Sequence, residues 1–128
     1  MFTEDDWPLL AFSFKSNMMN SYSAGLDRLR MIKPNNPVMV NTHDARRAGV
    51  AHGDTIEIES PGGRVIGVAL VSEGVMRGAL GIEHGFGHSE LGAGKHVIDG
   101  QSYGGNPWVG AGVNLNALGF ADPTRRVA

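Results

Sequence analysis

The stretch NPVMVNTHDARRAGVAHGDTIEIES, residues 36–60, decides how this chain folds. Pro34 and Pro37 bracket an extended entry, and Val38-Met39-Val40 reads as a short strand. Thr42 is the expected N-cap of a short helix, with Asp44 and Ala45 in its first turn and Arg46 and Arg47 in its last, where their charges suit the helix dipole. Gly49 supplies a left-handed exit. After the Gly53-Asp54 turn the sequence alternates from Thr55 to Glu59, Ile56 and Ile58 on one face and Thr55, Glu57 and Glu59 on the other. Strand, short helix, glycine stop, turn and strand together make the core of a small, interlocked β-barrel.

Working outward, Pro61-Gly62-Gly63 is a hairpin connection, and Val65 to Val71 pairs back across it. Gly67 interrupts that strand and marks a bulge or a close backbone approach. Upstream, Leu9 to Phe14 is the first strand, Lys15 to Ser23 is a polar loop without period, and Gly25 to Ile32 is a short helix or a turn. Downstream, Val75 to Glu83 holds a turn and another strand. From His84 to Gly112 regular structure fades. A loop of that length is functional or disordered; Phe86, Val97, Ile98, Tyr103 and Trp108 argue for order. Val113 to Leu118 follows, Asn114 and Asn116 reading as turn-forming asparagines beside a strand or as ligand contacts. The chain then runs through Asp122-Pro123 to a tail at Arg125-Arg126.

A chain of 128 residues is one domain by length and can bury a real core. A hydrophobic share of 41% excludes global disorder, and a net charge of −2 argues against a coat for nucleic acid or acidic membrane. No apolar run approaches the roughly 20 residues of a membrane helix, so direct membrane insertion is not expected. The acidic start, Met1 to Asp6, is unlike a secretory signal. With no cysteine, disulfides, iron–sulfur ligation and thiol nucleophiles are out of reach. Glycine, at 19 of 128, is about double its usual share, which means many tight turns and close backbone approaches.

Three segments carry candidate chemistry. His84-Gly85-Phe86-Gly87-His88 puts two histidines around flexible backbone. The glycines oppose a helix, and the glutamate that a zincin needs after its first histidine is replaced by Gly85, so a metal site is not expected. The segment best fits a loop whose backbone N–H groups and imidazoles face an anion or a ring; the alternative is a tight turn with surface histidines. Asn114 and Asn116 each offer a donor and an acceptor, suited to the edge of a guanine or pterin. Lys15, Ser16, Asn17, Asn20 and Ser21 form a second polar cluster, or an exposed connector. Neither Gly85-x-Gly87 nor Gly110-x-Gly112 meets the dinucleotide fingerprint, and there is no phosphate-cradling Gly-Lys-Ser/Thr. Serine, histidine and aspartate lack nucleophile-elbow context, and no Asp-Thr-Gly or Asp-Ser-Gly supports an aspartic protease. No catalytic residue is expected in this chain.

Asn36-Pro37-Val38, Asp44-Ala45, Gly49-Val50 and Gly53-Asp54 resemble the C-terminal molybdopterin-dinucleotide-binding domain of the dimethyl sulfoxide reductase family. The run Gly81 to His88, with Gly112-Val113-Asn114-Leu115-Asn116 and Asp122-Pro123, is more specifically similar to tetrathionate reductase large subunits. Respiratory arsenate reductases have a similar histidine-glycine loop. The resemblance spans about Phe12 to Arg125. It implies a mainly β fold, a double-psi β-barrel of six main strands with a few short helices. It implies a bis(molybdopterin guanine dinucleotide) molybdenum cofactor, which this domain caps. Lys15 through Ser21 match the family's first cofactor loop, His84 through His88 the loop near a pterin, and Asn114 with Asn116 the late asparagine segment. The implied partners are the remaining domains of a catalytic subunit, iron–sulfur electron-transfer and membrane-anchor subunits, in a periplasmic, membrane-associated complex. The family's cysteines and metal-proximal residue are absent here, so residues 1–128 are expected to be one excised last domain, inert alone and retaining no cofactor. The alternatives are reduction of arsenate or another oxyanion, or a free-standing interaction module on the same barrel.

Overall fold

The computed structural model describes residues 5–20, 22–90 and 92–119. Residues 1–4, which begin the acidic start, Ser21, and the tail carrying Asp122-Pro123 and Arg125-Arg126 lie outside that range. Five strands form one mixed sheet: β1 (Leu10–Phe14), β2 (Val38–Val40), β3 (Thr55–Ser60), β4 (Gly63–Val71) and β5 (Ala79–Glu83), in the order β1-β5-β2-β4-β3. Parallel pairs β1–β5 and β2–β4 alternate with antiparallel pairs β2–β5 and β3–β4. Within this sheet, among the described residues, only β3 and β4 are neighbours both in sequence and in space. The rest of the chain must cross over itself, and the sheet curls into a half-barrel with a few short helices. The class is mainly β, as the sequence implies.

The core follows from that interlocking. Val38, Val40, Ala45, Ile58, Leu80, Ile82, Val113 and Leu118 form one buried cluster. β5 is buried along its whole length because β1 and β2 flank both its edges. Gly67 pairs with Ile56 in regular register, so there is no bulge. A Cβ on Gly67 would lie 2.7 Å from Val113 Cγ2 and 2.9 Å from Val38 Cγ2, so the glycine serves a close approach in the core.

Helix α1 spans Asp27–Ile32, and α2 spans Thr42–Ala48. The N-cap of α2 is Asn41, not Thr42: Asn41 Oδ1 accepts from His43 N at 2.9 Å. Asn41 serves better because its Nδ2 also reaches Val75 O at 2.8 Å, tying the cap to a second segment. Gly49 exits left-handed at φ +69°.

The stretch expected to lack regular structure holds a hairpin, β6 (His96–Ile98) with β7 (Gln101–Tyr103), and a short helix α3 (Pro107–Gly110). Asp99 and Gly100 form its turn with φ +50° and +78°, the two positive angles of a tight β-connection. Asn114 does not flank a strand. It caps a 3₁₀ turn, Leu115–Leu118, by accepting from Asn116 N at 3.0 Å.

Candidate functional site

Parallel pairing of β1 with β5 sets Phe14 beside Glu83, so both strands end at the same edge. The loops that follow them therefore start side by side, and His84 N donates to Phe14 O at 3.1 Å. A third segment is fastened to the second loop through its backbone: Gly87 N donates to Ala111 O at 2.9 Å and His88 N to Val109 O at 3.2 Å. Buried Asn36 locks that junction. Its Nδ2 donates to Glu83 O (2.7 Å) and Val113 O (2.9 Å), and its Oδ1 accepts from Val113 N (2.6 Å).

The three segments enclose a cavity of about 260 Å³. Asn20, His84, Gly85, His88, Asn114 and Asn116 line it, with Ser13, Ala24 and Leu115 completing the wall. The polar groups left over are mostly donors. Asn20 Oδ1 accepts from Tyr22 N and Ser23 N, and Asn114 Oδ1 accepts from Asn116 N. Because a backbone N–H can only donate, both lone pairs of Asn20 Oδ1 and one of Asn114 Oδ1 are used, and each side chain has its NH₂ left to offer. His84 Nε2 is buried and has no partner. A buried polar atom without a partner is uncommon and points to a missing ligand or water. Among the described residues no carboxylate lines the cavity. The arrangement suits a neutral or anionic, acceptor-rich ring.

Gly85 is in the cavity wall, and the remaining sequence candidates sit elsewhere. Gly85 and Gly87 have φ of +94° and +68°. A Cβ on Gly87 would lie 2.5 Å from Asn114 N, so this glycine lets the second and third segments touch. Phe86 is buried, its ring 4.9 Å from the Arg30 guanidinium. Ser16 donates its hydroxyl to Glu83. Lys15 and Asn17 are exposed and do not line the cavity. Ser21 lies outside the described residues.

Asn36, Arg30, Glu83 and Lys33 support the site without standing out in the sequence. Asn36 is visible there only as the start of the strand–helix unit. Arg30 and Glu83 are charges, which a sequence reading leaves at the surface, yet both are buried. Burial lowers the Arg30 pKa from its ordinary value, and the Glu83 carboxylate opposes that shift.

A larger cleft of about 580 Å³ opens between β1 and β3, the two edges of the sheet. Leu10, Ala11, Ile56, Ile58, Leu80 and Leu118 make it mainly apolar, and none of the sequence candidates lines it. Sequence candidates that carry free polar groups, Asn20, His84, Asn114 and Asn116 among them, lie at the smaller cavity.

Residues 13–128 match the family described as the molydopterin dinucleotide binding domain, and the chain belongs to that family of molybdopterin-binding domains. It is 49% identical over 121 residues to one subunit of the tetrathionate reductase of Salmonella typhimurium, covering 94% of this chain and 12% of the relative. It is 33% identical over 89 residues to the menaquinone reductase, molybdopterin-binding-like subunit, of Nitratidesulfovibrio vulgaris, covering 61% of this chain and 13% of that relative. Among solved structures, acetylene hydratase from Pelobacter acetylenicus superposes with a TM-score of 0.57 over 64% of this chain and 12% of its own, at 21% identity, a likeness of fold. The chain thus spans about one-eighth of the curated relatives it matches. Among the described residues no helix is long and apolar enough to cross a membrane.

Proposed function

We propose that this chain binds and caps a bis(molybdopterin guanine dinucleotide) molybdenum cofactor as the last domain of a larger oxidoreductase subunit. The observation that carries the reading is the convergence of Asn20, His84, His88, Asn114 and Asn116, from three separated segments, on one donor-lined cavity beside the unpartnered His84 Nε2. The residues fit the group. A pterin presents carbonyl and ring-nitrogen acceptors, and Gly85 adds backbone to the cavity wall. Ligand pockets usually measure about 300–1,000 Å³, so a cavity of about 260 Å³ holds one ring system and not a whole dinucleotide. The rest of the cofactor then rests on other parts of the larger protein, with exposed Lys15 and Asn17 as candidates for contacts outside the cavity. When bound, the cofactor supplies two-electron redox chemistry at the metal. His84, His88 and the asparagines orient the pterin and keep water from its edge. This chain contributes no group to the reacting centre.

The 49% identity to the Salmonella tetrathionate reductase supports reductive cleavage of a sulfur–sulfur bond in tetrathionate over reduction of arsenate. The family resemblance adds, as proposed partners, the remaining domains of the catalytic chain, a membrane anchor and an iron–sulfur electron-transfer protein, in a periplasmic complex. The alternation of parallel and antiparallel pairs supports a double-psi barrel, and residues 1–128 act as a single domain. The apolar cleft between β1 and β3 favours one rival, a binding module without cofactor.

A chimera separates the two. The matched stretch of the Salmonella protein is replaced by this chain, and molybdenum per molecule is measured. Loading close to that of the parent protein is expected. A chimera that assembles but carries no molybdenum would favour the rival.

A further inference from the structure

Two full charges lie inside this molecule, and cofactor binding gives neither of them a task. Arg30 is 0% exposed and Glu83 is 1% exposed. Burying a charge is expensive unless it is paired, and a well-packed apolar residue often serves stability better. What distinguishes the pair is what it touches. Arg30 Nη2 donates to Met18 O in the loop after β1, while its guanidinium lies 4.9 Å over the ring of Phe86 in the loop after β5. Glu83, the last residue of β5, accepts from the Ser16 hydroxyl of the first loop through Oε1 and from Lys33 Nζ, just past α1, through Oε2. Next to Met18, buried Met19 packs so tightly under Gly85 that a Cβ there would stand 2.8 Å from Met19 Cγ. Arg30 therefore reaches both loops directly, and Glu83 reaches the first directly and the second as the strand end from which it leaves.

We propose that Arg30 and Glu83 are positioning residues that lock residues 15–20 to residues 84–88, and so set the separation of the Asn20 and His84 walls of the cavity. An apolar pair of the same volume would fill the space without fixing a carbonyl and a hydroxyl in place. Directed partners give the charges their use. The purpose of the device rests on the cofactor reading, but its geometry does not.

The test is amide hydrogen exchange on the full 128-residue chain. Arg30→Met keeps length and removes the charge; Glu83→Gln keeps shape and removes the charge. Each is expected to speed exchange at least tenfold in residues 15–20 and 84–88 while exchange in β3 and β4 stays at the parent rate. Arg30→Lys, which keeps a cation for Met18 O and Phe86, restores part of the protection. Should Arg30→Met fail to fold, Ser16→Ala removes one contact to Glu83 together with the bond that Ser16 Oγ accepts from Met18 N, so the readout is residues 84–88, which that second bond does not touch and where exchange is expected to speed about threefold. Unchanged loops, or equal acceleration in loops and strands, overturns the proposal. A parent chimera without molybdenum sinks the cofactor reading and leaves this result untouched.

Discussion

Asn36 and Val113, 77 positions apart, face each other through two hydrogen bonds, Nδ2 to Val113 O at 2.9 Å and Val113 N to Oδ1 at 2.6 Å. With the third bond, to Glu83 O, one amide side chain joins the end of β5 to the segment that carries Asn114. Replacing Asn36 by Leu strands three buried backbone groups, each worth about 1–3 kcal/mol when left unsatisfied. A loss of about 3–5 kcal/mol is expected from urea unfolding, as a lower midpoint at unchanged slope. Asn36→Asp does no better, because a carboxylate cannot donate to the two carbonyls.

Gly49 and Gly87 have nearly the same φ, +69° and +68°, but different surroundings. A Cβ on Gly49 meets nothing within 4 Å, whereas one on Gly87 would lie 2.5 Å from Asn114 N and 2.7 Å from Gly112 O. Gly49→Ala is expected to cost only the left-handed penalty, about 1–2 kcal/mol. Gly87→Ala adds overpacking, for about 2–5 kcal/mol in all, and pushes Asn114 away from the cavity. Parallel denaturation curves of the two variants measure the difference; equal costs would mean that the contact between these segments is loose.

Asp44 Oδ2 accepts from Gly78 N at 2.7 Å, and this bond, with help from His43, lowers the Asp44 pKa from its ordinary value. A carboxylate depressed in the folded state stabilises the fold above its unfolded pKa of about 3.9, and that contribution disappears as pH falls through the folded value. Asp44→Asn is therefore expected to be less stable than the parent at pH 6, with the gap closing as pH drops below about 4. Thermal melts from pH 6 to pH 2.5 check the sign. A gap that widens in acid contradicts it.

The 36–60 run is legible because each local signal agrees with the tertiary outcome. Alternation places Ile58 inward, Gly49 ends α2 as expected, and β2 and β3 fall where the residues put them. Sequence and structure part where two residue types can do one job, as with Asn41 and Thr42, or where tertiary contact outvotes pattern. The β6–β7 hairpin is exposed on both faces, so it shows no alternation, and only Asp99-Gly100 betrays it. Asn114 and Asn116 look like a strand period and are a capped turn. In the site, the residues with free polar chemistry can be picked from sequence. Those that hold them cannot, since Lys33 and Glu83 meet across 50 positions and nothing local marks a charge as buried.

The same hairpin yields a local prediction. Asp99 holds φ +50°, which a β-branched residue resists, and His96 stacks on Tyr103 across the strands at 5.6 Å. Asp99→Val is expected to abolish the contacts between the His96 and Tyr103 rings seen by nuclear magnetic resonance, while global stability shifts by under about 0.5 kcal/mol because the hairpin is exposed. Asp99→Asn should keep both.

The central claim is that the cavity beside His84 receives part of the molybdenum cofactor, and the most direct measurement is molybdenum retained per molecule in the chimera carrying His84→Ala, against His43→Ala as control. His43 is exposed on α2 and remote from the cavity lining. The expected result is at least a tenfold loss of molybdenum for His84→Ala, with the His43→Ala chimera loaded like the parent. Equal loading of the two would contradict the account.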